Sequence, residues 1–544
     1  MQDSLPSFAR RPLVGLAAFF LAGTAVGLHG AEFPKTIFLT GVICAFGALL
    51  WRAWGRNPER ASAGVVRTGA INAALFLLAW AAASPGLRGI STHPPAGVSI
   101  GARGDATGVV IGDPDMLPEQ QRGLITWRVP FRIEQWRVPG GGWVDVNVPV
   151  MGWWKIFEDR RAPGYGERFL LREVRWPAAS GTGVALVPRS PAISAYNRQI
   201  HYLTDGHGSA LRAWCYTARI RAADHLVDGI EAFPEEAGIQ QALMLGYRQR
   251  LSDRVADLGA TTGTLHIFAI SGSHVAIIAG IFVFLLRVLV IPRWRWVLFL
   301  APMLVVYTLA TGAAASAVRA CIMAILCFLG PAVGRRPDGA SALAAAAMLI
   351  VAWDPTQLVD VGFVLSFVVV AGLVGLYPLF LEPLRAWIAP DPLMVVPETT
   401  LVRVGRAFAG ALCSLLALSL AAWFASLPLT AYYFQRFTPI TIIANLVVVP
   451  LAFLMVLSGC LSILIGSCSH LLAEIFNYAS VALIRVFVMI TEWLSHVPLA
   501  NMTVERPALW WMAVYYLMLV LISARAWARC GPEVSGQPIT GVEI

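Results

Sequence analysis

The chain has 544 residues, of which 57% are hydrophobic and only 13% charged, and its formal net charge at pH 7 is +9. Apolar runs of about 20 residues recur along it, and a helix of that length spans the hydrocarbon core of a bilayer. This composition excludes a soluble multidomain protein, which would need charged faces between its apolar runs. The positive charge does not by itself indicate nucleic-acid binding, because basic loops are expected of any inner-membrane protein.

The apolar runs predict a polytopic α-helical membrane protein. The first run follows Arg10 and Arg11, as in a signal peptide, but it continues through Leu28 without a small-residue cleavage site, so we interpret it as a transmembrane helix. About twelve spans are predicted, in a range of roughly 10–12, because two segments are short for a bilayer. They lie at residues 12–29, 36–54 and 69–83 before a long polar stretch, and at 265–291, 296–311, 315–333, 341–353, 361–381, 408–427, 440–465, 471–494 and 509–528 after it.

The distribution of arginine predicts the orientation in the plasma (inner) membrane. If the spans alternate, arginine-rich loops fall on one side, whereas the loops at 311–316 and 353–360 contain neither Lys nor Arg. Basic loops stay in the cytoplasm. Both termini are therefore expected in the cytoplasm, and the long polar stretch on the outer (periplasmic or extracellular) side.

The polar stretch after the third span divides into a β part and a helical part. Short alternating runs at 108–111, 125–133, 143–150, 168–174 and 184–187 are separated by Gly and Pro clusters, which predicts about five strands in a small all-β, OB-like domain. An apolar stripe at helical spacing follows, and it lies either on the outer leaflet or against the transmembrane bundle. We divide the chain into N-terminal transmembrane helices (1–85), an outward OB-like β domain (86–200), an amphipathic helical connector (201–263), a transmembrane bundle (264–530) and a cytoplasmic tail (531–544).

Residues 263–275 carry the most specific motif. They read Gly-Thr-Leu-His-Ile-Phe-Ala-Ile-Ser-Gly-Ser-His-Val, with Leu245-Gly246 upstream. This resembles the ComEC/Rec2 family of competence proteins, in which a Leu-Gly stretch precedes Gly-x-x-His-Leu-Leu-Ala-Ile-Ser-Gly-Leu-His-Val; Ser273 replaces the family's Leu. Further matches are Arg319 in an Arg-Ala-x-x-Met sequence, the block from Asp360 to Phe367 with Val364 in place of Gln, and Asn445 between two prolines.

The resemblance implies an inner-membrane channel that passes single-stranded DNA into the cytoplasm during natural transformation. By family analogy its partners are a DNA receptor, a cytoplasmic helicase or ATPase and a separate nuclease. Many members also carry a metallo-β-lactamase-like domain, whose His-x-His-x-Asp-His motif does not occur here. We therefore expect no enzyme activity, no metal site and no cofactor. A phosphate-binding loop is also missing from the sequence, so energy would come from elsewhere.

A DNA channel needs a polar, wet path through the bundle. Ser271-Gly272-Ser273 predicts a kink that lines such a path, and Arg319 either meets a phosphate or pairs with Asp360. Polar packing between helices, an interfacial helix around Glu474 and Arg485, and an intramembrane serine protease are the alternatives. The candidate pore residues are His266, Ser271, Gly272, Ser273, His274, Arg319, Asp360, Ser366, Asn445, Glu474 and Arg485.

Aromatic and basic residues alternate in the β domain, which is typical of surfaces that bind single strands. They could equally form its core or anchor it at the membrane interface. The DNA-binding candidates are Trp127, Arg128, Arg132, Trp136, Arg137, Trp153, Trp154 and Lys155. Two other functions remain open: transport of a different polar polymer or solute, and a degenerate family member without transport, to which Ser273 and Val364 point.

Overall fold

The computed structural model describes residues 17, 18, 20–22 and 24, and then 101–529 with gaps at 122–123, 139, 158–160, 177–191, 269, 335–337, 390–398 and 499. The spans predicted at 36–54 and 69–83, most of the one at 12–29, the strand at 184–187 and the tail at 531–544 lie outside the described residues.

Seven strands form one mixed sheet. The four predicted strands that the structure describes are present but longer. Three further strands, at 115–121, 192–196 and 200–204, were not predicted because they are short or polar. The strand order is β6-β4-β3-β1-β5-β7, with β2 paired to β3; β4 and β6 run parallel, and the other pairs are antiparallel. The strands are β1 (Arg103–Val110), β2 (Asp115–Gln121), β3 (Leu124–Arg137), β4 (Trp143–Phe157), β5 (Arg168–Arg175), β6 (Ala192–Tyr196) and β7 (Ile200–Thr204).

The core of the sheet domain is aromatic. Trp154 lies edge-on to Phe131 with ring centroids 5.4 Å apart, and Trp136 lies edge-on to Trp176 at 4.9 Å. Burying each such ring contributes roughly 1.5–3 kcal/mol. Trp136 and Trp154 are completely buried, so they are core residues, and their prediction as base-stacking surfaces is wrong: the alternation of the strands turns them inward.

Helices make up most of the remaining described chain. A helix lies at each apolar run predicted after the β domain, because a segment in lipid must satisfy its own backbone hydrogen bonds. The helices at 361–388 and 400–434 extend seven or eight residues beyond the predicted runs. A two-residue ladder joins β8 (Arg436–Phe437) to β9 (Met502–Thr503). The helices are α1 (Ala210–His225), α2 (Pro234–Leu245), α3 (Asp253–Thr262), α4 (Gly272–Val288), α5 (Trp296–Ala310), α6 (Ala315–Ala332), α7 (Gly339–Trp353), α8 (Val361–Ile388), α9 (Thr400–Phe434), α10 (Thr441–Gly466), α11 (His470–Ser495) and α12 (Leu509–Arg529).

Six helices in the described part of the chain are long and apolar enough to cross a membrane: α5 with its preceding turn, α6, α8, α9, α10 and α11. The apolar helices α4 and α7 are shorter, and so is the apolar stretch Leu509–Ser523 of α12. The predicted span at 265–291 loses about its first two turns, because α4 begins only at Gly272. The sequence Ser271-Gly272-Ser273 is therefore the start of a helix, and the predicted kink within a helix is wrong.

The chain forms two compact units. The first contains Met1–Ser252, Ile267–Phe363 and Met455–Ile484. Within it α6 packs against α4, α5 and α7, and α1 packs against α5. All residues of α2 from Ala237 to Leu245 are buried, so the connector packs against other helices, although Leu211 and Trp214 of its apolar stripe are exposed.

The second unit contains Asp253–His266, Val364–Leu454 and Arg485–Ile544. Two tyrosines of α12 hold α9: the hydroxyls of Tyr515 and Tyr516 donate to carbonyl oxygens of Phe424 and Ala425, each at 3.0 Å. Gly372 of α8 lies directly against Ala425. Small residues let helix backbones approach closely where lipid provides no hydrophobic driving force.

Candidate functional site

The motif segment in the first unit is built around the start of α4. Ser271 is the N-cap residue in extended conformation, and its backbone N–H donates to Nδ1 of His274 at 3.3 Å. The hydroxyl of Ser271 lies 3.1 Å from the same nitrogen and 2.7 Å from Oγ of Ser273. Because Nδ1 accepts these bonds, the neutral ring carries its proton on Nε2. His274 is buried and Ser273 exposed, so the histidine stabilises the helix start while the serine faces outward.

The Ser271–His274 distance is short enough for a nucleophile and its base. The two residues are, however, three apart at a helix start, and the ring also accepts the backbone N–H of Ser271. Such a reciprocal contact is the geometry of a capping box, here with His in the place of Glu or Gln. The arrangement thus favours a structural role over the protease alternative.

The segment before Ser271 is held by two neighbours. The hydroxyl of Ser316, in the first turn of α6, donates to the carbonyl of Ile270 at 2.5 Å. Gly246 ends α2 with a φ of +81°, and a Cβ there would lie 2.7 Å from Cδ1 of Ile270. Glycine is required at this position both for its backbone conformation and for the close approach. The motif's Leu-Gly and Ile-Ser pairs are therefore parts of one packed contact.

His266 and Gly263 belong to the second unit. Nδ1 of His266 lies 2.9 Å from the carbonyl of Gly263, whose φ is +73°. Thr441, at the start of α10, lies directly against Gly263 and donates its hydroxyl to Thr262 at 3.0 Å. Nη1 of Arg436 donates to the carbonyl of Ala260 at 3.1 Å. These contacts fix the turn after α3 on the β8–α10 segment.

Arg319 and Asp360 form an ion pair, which is one of the two alternatives predicted for Arg319. Nη1 of Arg319 lies 3.6 Å from Oδ1 of Asp360, and the arginine side chain is 5% exposed. The same carboxylate oxygen accepts the N–H of Phe363 at 2.8 Å and so caps α8. A Cβ on Gly362 would lie 3.0 Å from both partners. A Cβ on Gly272 would lie 3.6 Å from Cβ of Ala320, the residue after Arg319 in α6. The ion pair and the start of α4 are therefore at the same end of α6.

The other predicted pore residues are dispersed. Ser366 and Asn445 are half-buried in α8 and α10, and Arg485 is exposed on α11. Oδ1 of Asn445 is buried without a hydrogen-bond partner in the described structure. Glu474 packs against Gly229, which follows α1. Within the first unit the structure thus brings together Ser271, Ser273 and His274, and separately Arg319 and Asp360.

The polar stripe of α11 contacts the protein's own connector. Asn477 is fully buried and bonds to the backbone of His225 and Asp228. Nδ1 of His470 lies 3.3 Å from Oδ2 of Asp228. Strict alternation of the predicted spans places residues 466–470 in the cytoplasm and the connector outside. Because the two touch, at least one of these placements is wrong.

Arg219 of α1 was not singled out in the sequence, although it joins three parts of the first unit. Its side chain is 4% exposed and pairs with Asp113, in the loop between β1 and β2. Its Nη2 donates to the carbonyl of Leu245 at 2.6 Å, and the guanidinium lies 4.2 Å from the ring centroid of Tyr247. A buried arginine with a carboxylate, a carbonyl and a ring as partners fixes the β domain to the end of α2. No local pattern could have identified it.

The exposed face of β3, β4 and β6 carries basic and aromatic side chains together. Arg128 lies opposite Trp153, and Lys155 lies opposite Tyr196 with its Nζ 5.9 Å from that ring's centroid. Arg128, Trp153 and Tyr196 are exposed. The positive charge of Arg128 also acts on Arg248: the partial burial of Arg248 lowers its pKa, and the charge of Arg128 lowers it further. We call Arg128, Trp153, Lys155 and Tyr196 the platform; Tyr196 was missed because β6 was not predicted.

The remaining DNA-binding candidates differ in availability. Trp127 is half-buried and Arg132 is exposed. Arg137 pairs with Asp105 at 2.6 Å. Burial raises the pKa of Asp105, but the hydrogen bonds from Arg137 and from the N–H of Glu173, with the charges of Arg137 and Arg172, outweigh it, and the net pKa is lowered. Arg137 is therefore partly neutralised.

One group in the described part of the chain has the composition of a metal site. His225, Asp228 and His470 each present one ligand atom, and these atoms lie within 4.8 Å of one another. Sequence spacing concealed the group, because His470 is 242 residues from Asp228.

Comparison with known proteins concentrates on the helical part. The family described as "Competence protein" matches residues 243–529, more than half of the chain. ComE operon protein 3 of Bacillus subtilis (strain 168) is 30% identical over 227 residues, which cover 42% of this chain and 26% of that protein. The match therefore spans about a quarter of the relative's length. No solved structure matches the chain.

Proposed function

Because the chain belongs to the ComEC/Rec2 family of competence proteins, we propose that it passes single-stranded DNA across the plasma membrane into the cytoplasm during natural transformation. Family membership supports a role in DNA uptake, and the six long apolar helices support a membrane location. The platform is the observation that carries the single-strand proposal, because it pairs base-stacking rings with cations that can contact phosphates.

The β domain is proposed to be an OB-like barrel on the outer side of the membrane. β1, β3 and β4 form an antiparallel meander, β5 returns beside β1, and β6 lies parallel to β4 and also contacts β5. This is a Greek-key order, and in OB folds the second and third strands carry the oligonucleotide-binding face. In the meander of β1, β3 and β4 the second and third strands are β3 and β4, since β2 pairs with β3 outside this order. These two strands hold three of the four platform residues.

The strand would pass from the platform to the helix starts of α4, α6 and α8. Ser273 is exposed there, and the Arg319–Asp360 pair lies at the same end of α6. Delivery by a DNA receptor, pulling by a cytoplasmic helicase or ATPase, and degradation of the second strand by a separate nuclease complete the proposal.

The proposal is tested first by binding. Full-length protein in nanodiscs is titrated with a fluorescent oligothymidine, and Trp153→Ala is compared with Trp143→Ala, which removes an equally exposed ring at the other end of β4. Stacking of one base contributes about 1–3 kcal/mol, so we expect affinity to fall roughly 5- to 150-fold for Trp153→Ala only. Equal affinities for the wild type and both variants would refute the platform.

Transport is tested in the host. A deletion strain is complemented with wild type, Trp153→Ala or Trp143→Ala, and radiolabelled DNA is followed to the surface and the cytoplasm. We expect deletion to abolish cytoplasmic DNA while surface-bound DNA remains. If a competent host without the gene still takes up DNA normally, the transport proposal fails, and a different polar substrate becomes the better assignment.

A further inference from the structure

His225, Asp228 and His470 form a separate group of polar side chains, which includes none of the platform or motif residues. Oδ2 of Asp228 lies 3.2 Å from Nδ1 of His225 and 3.3 Å from Nδ1 of His470. The third separation, between the two ring nitrogens, is no more than 4.8 Å. Three ligand atoms of the types that bind transition metals thus converge on one point.

These separations fit a small tetrahedral ion. Zinc binds imidazole nitrogen and carboxylate oxygen at about 2.0–2.2 Å, so ligand atoms on a tetrahedron are about 3.3–3.6 Å apart. The separation of 3.3 Å between His470 and Asp228 has this value, and the separation of 3.2 Å between His225 and Asp228 is just below it. Two histidines and one carboxylate leave a fourth position for water, as in zinc sites with three protein ligands.

The backbone that carries two of the ligands is held rigidly. Asn477 is completely buried and donates its amide protons to the carbonyls of His225 at 2.8 Å and Asp228 at 3.0 Å. Its Oδ1 accepts from Ser462 at 2.7 Å and from Gln240 at 3.3 Å. The amide is therefore fully bonded and fixes the turn after α1. Supporting contacts of this kind are what orient metal ligands.

The third ligand comes from the first residue of α11. The side chain of His470 is 76% exposed, whereas those of His225 and Asp228 are 26% and 29% exposed. A metal can therefore enter from the His470 side without opening the fold. An exposed histidine beside two half-buried ligands is also easily replaced, since its removal leaves no cavity.

We propose that His225, Asp228 and His470 bind a divalent transition-metal ion, Zn²⁺ by the chemistry of the ligand set, which clamps the turn after α1 to the start of α11. Imidazole and carboxylate together suit zinc better than Ca²⁺ or Mg²⁺, which prefer oxygen ligands. The ion would link the connector to the bundle at a contact that hydrogen bonds and apolar packing also hold. The proposal is independent of DNA transport.

The test uses full-length protein purified without a histidine tag. It is loaded with Zn²⁺, dialysed and analysed for metal by mass spectrometry, alongside His470→Ala and the control His496→Ala, which removes the exposed histidine that directly follows α11. We expect about one zinc per chain in the wild type and the control and at least a tenfold loss of retained zinc in His470→Ala. Equal retention in His470→Ala, or no retained zinc in the wild type, would overturn the proposal.

Cobalt provides a second readout. Co²⁺ loaded into the wild type should give the strong visible absorption of a four-coordinate ion, and Asp228→Asn should lose it. A chelator should lower the unfolding temperature of the wild type but not that of His470→Ala. A cobalt spectrum that is identical in the wild type and Asp228→Asn would show that the ion binds elsewhere and would refute the site.

Discussion

Replacing Arg219 with methionine tests whether this one side chain holds the β domain to the end of α2. The side chain is 4% exposed and that of its partner Asp113 is 19% exposed. The replacement also removes the donor of the 2.6 Å bond to the carbonyl of Leu245. Breaking a buried ion pair by removing one partner costs about 3–5 kcal/mol. This is a large part of the roughly 5–15 kcal/mol by which a domain is stable.

The measurement is unfolding of the detergent-solubilised chain in urea, followed by tryptophan fluorescence, for Arg219→Met, Asp113→Leu and the double variant. Because removing both charges is close to neutral, the double variant should be more stable than Arg219→Met by about 2 kcal/mol or more. Arg221→Ala, an exposed arginine two residues on, should change stability by less than about 0.5 kcal/mol. If Arg219→Met behaves like Arg221→Ala, the contact does not hold the domain and the reasoning is wrong.

Two further predictions concern the ends of the helices and the β domain. Gly362→Ala should destabilise the fold by about 1–3 kcal/mol, because its Cβ would lie 3.0 Å from both members of the Arg319–Asp360 pair. The control Gly280→Ala, whose Cβ would meet nothing within 4 Å, should not destabilise the fold. Equal thermal stabilities for the two variants would contradict this prediction. Asp105 has a pKa below its ordinary value of 3.8, so its carboxylate stabilises the folded state above about pH 4 and this contribution is lost as the pH falls below that. Unfolding temperatures measured from pH 7 to pH 3 should therefore fall more steeply for the wild type than for Asp105→Asn, and parallel curves would refute the assignment.

Much of the helical architecture was predictable because its cause is local. A helix in lipid must be apolar along its length and must pair its own backbone groups, so α5, α6, α10 and α11 begin and end within one or two residues of the apolar runs. The longer strands of the β domain followed from alternation, but β2 and β6 did not, since five to seven mixed residues carry too little pattern. The capped start at Ser271 also escaped prediction, because a serine and a glycine inside an apolar run are compatible with either a kink or an N-terminus.

Only the tertiary structure decided which residues that are distant in the chain are in contact. Alternation places Trp153 and Trp154 on opposite faces of β4, but only the packing of the sheet shows that Trp154 is the buried one. Arg219 meets Asp113 across 106 residues, and Asp228 meets His470 across 242. Hydrophobic periodicity reports which face of an element avoids water, and it contains no information about which element lies opposite. The ion pair at Arg219 and the histidine–aspartate group therefore exist as sites only once the chain has folded.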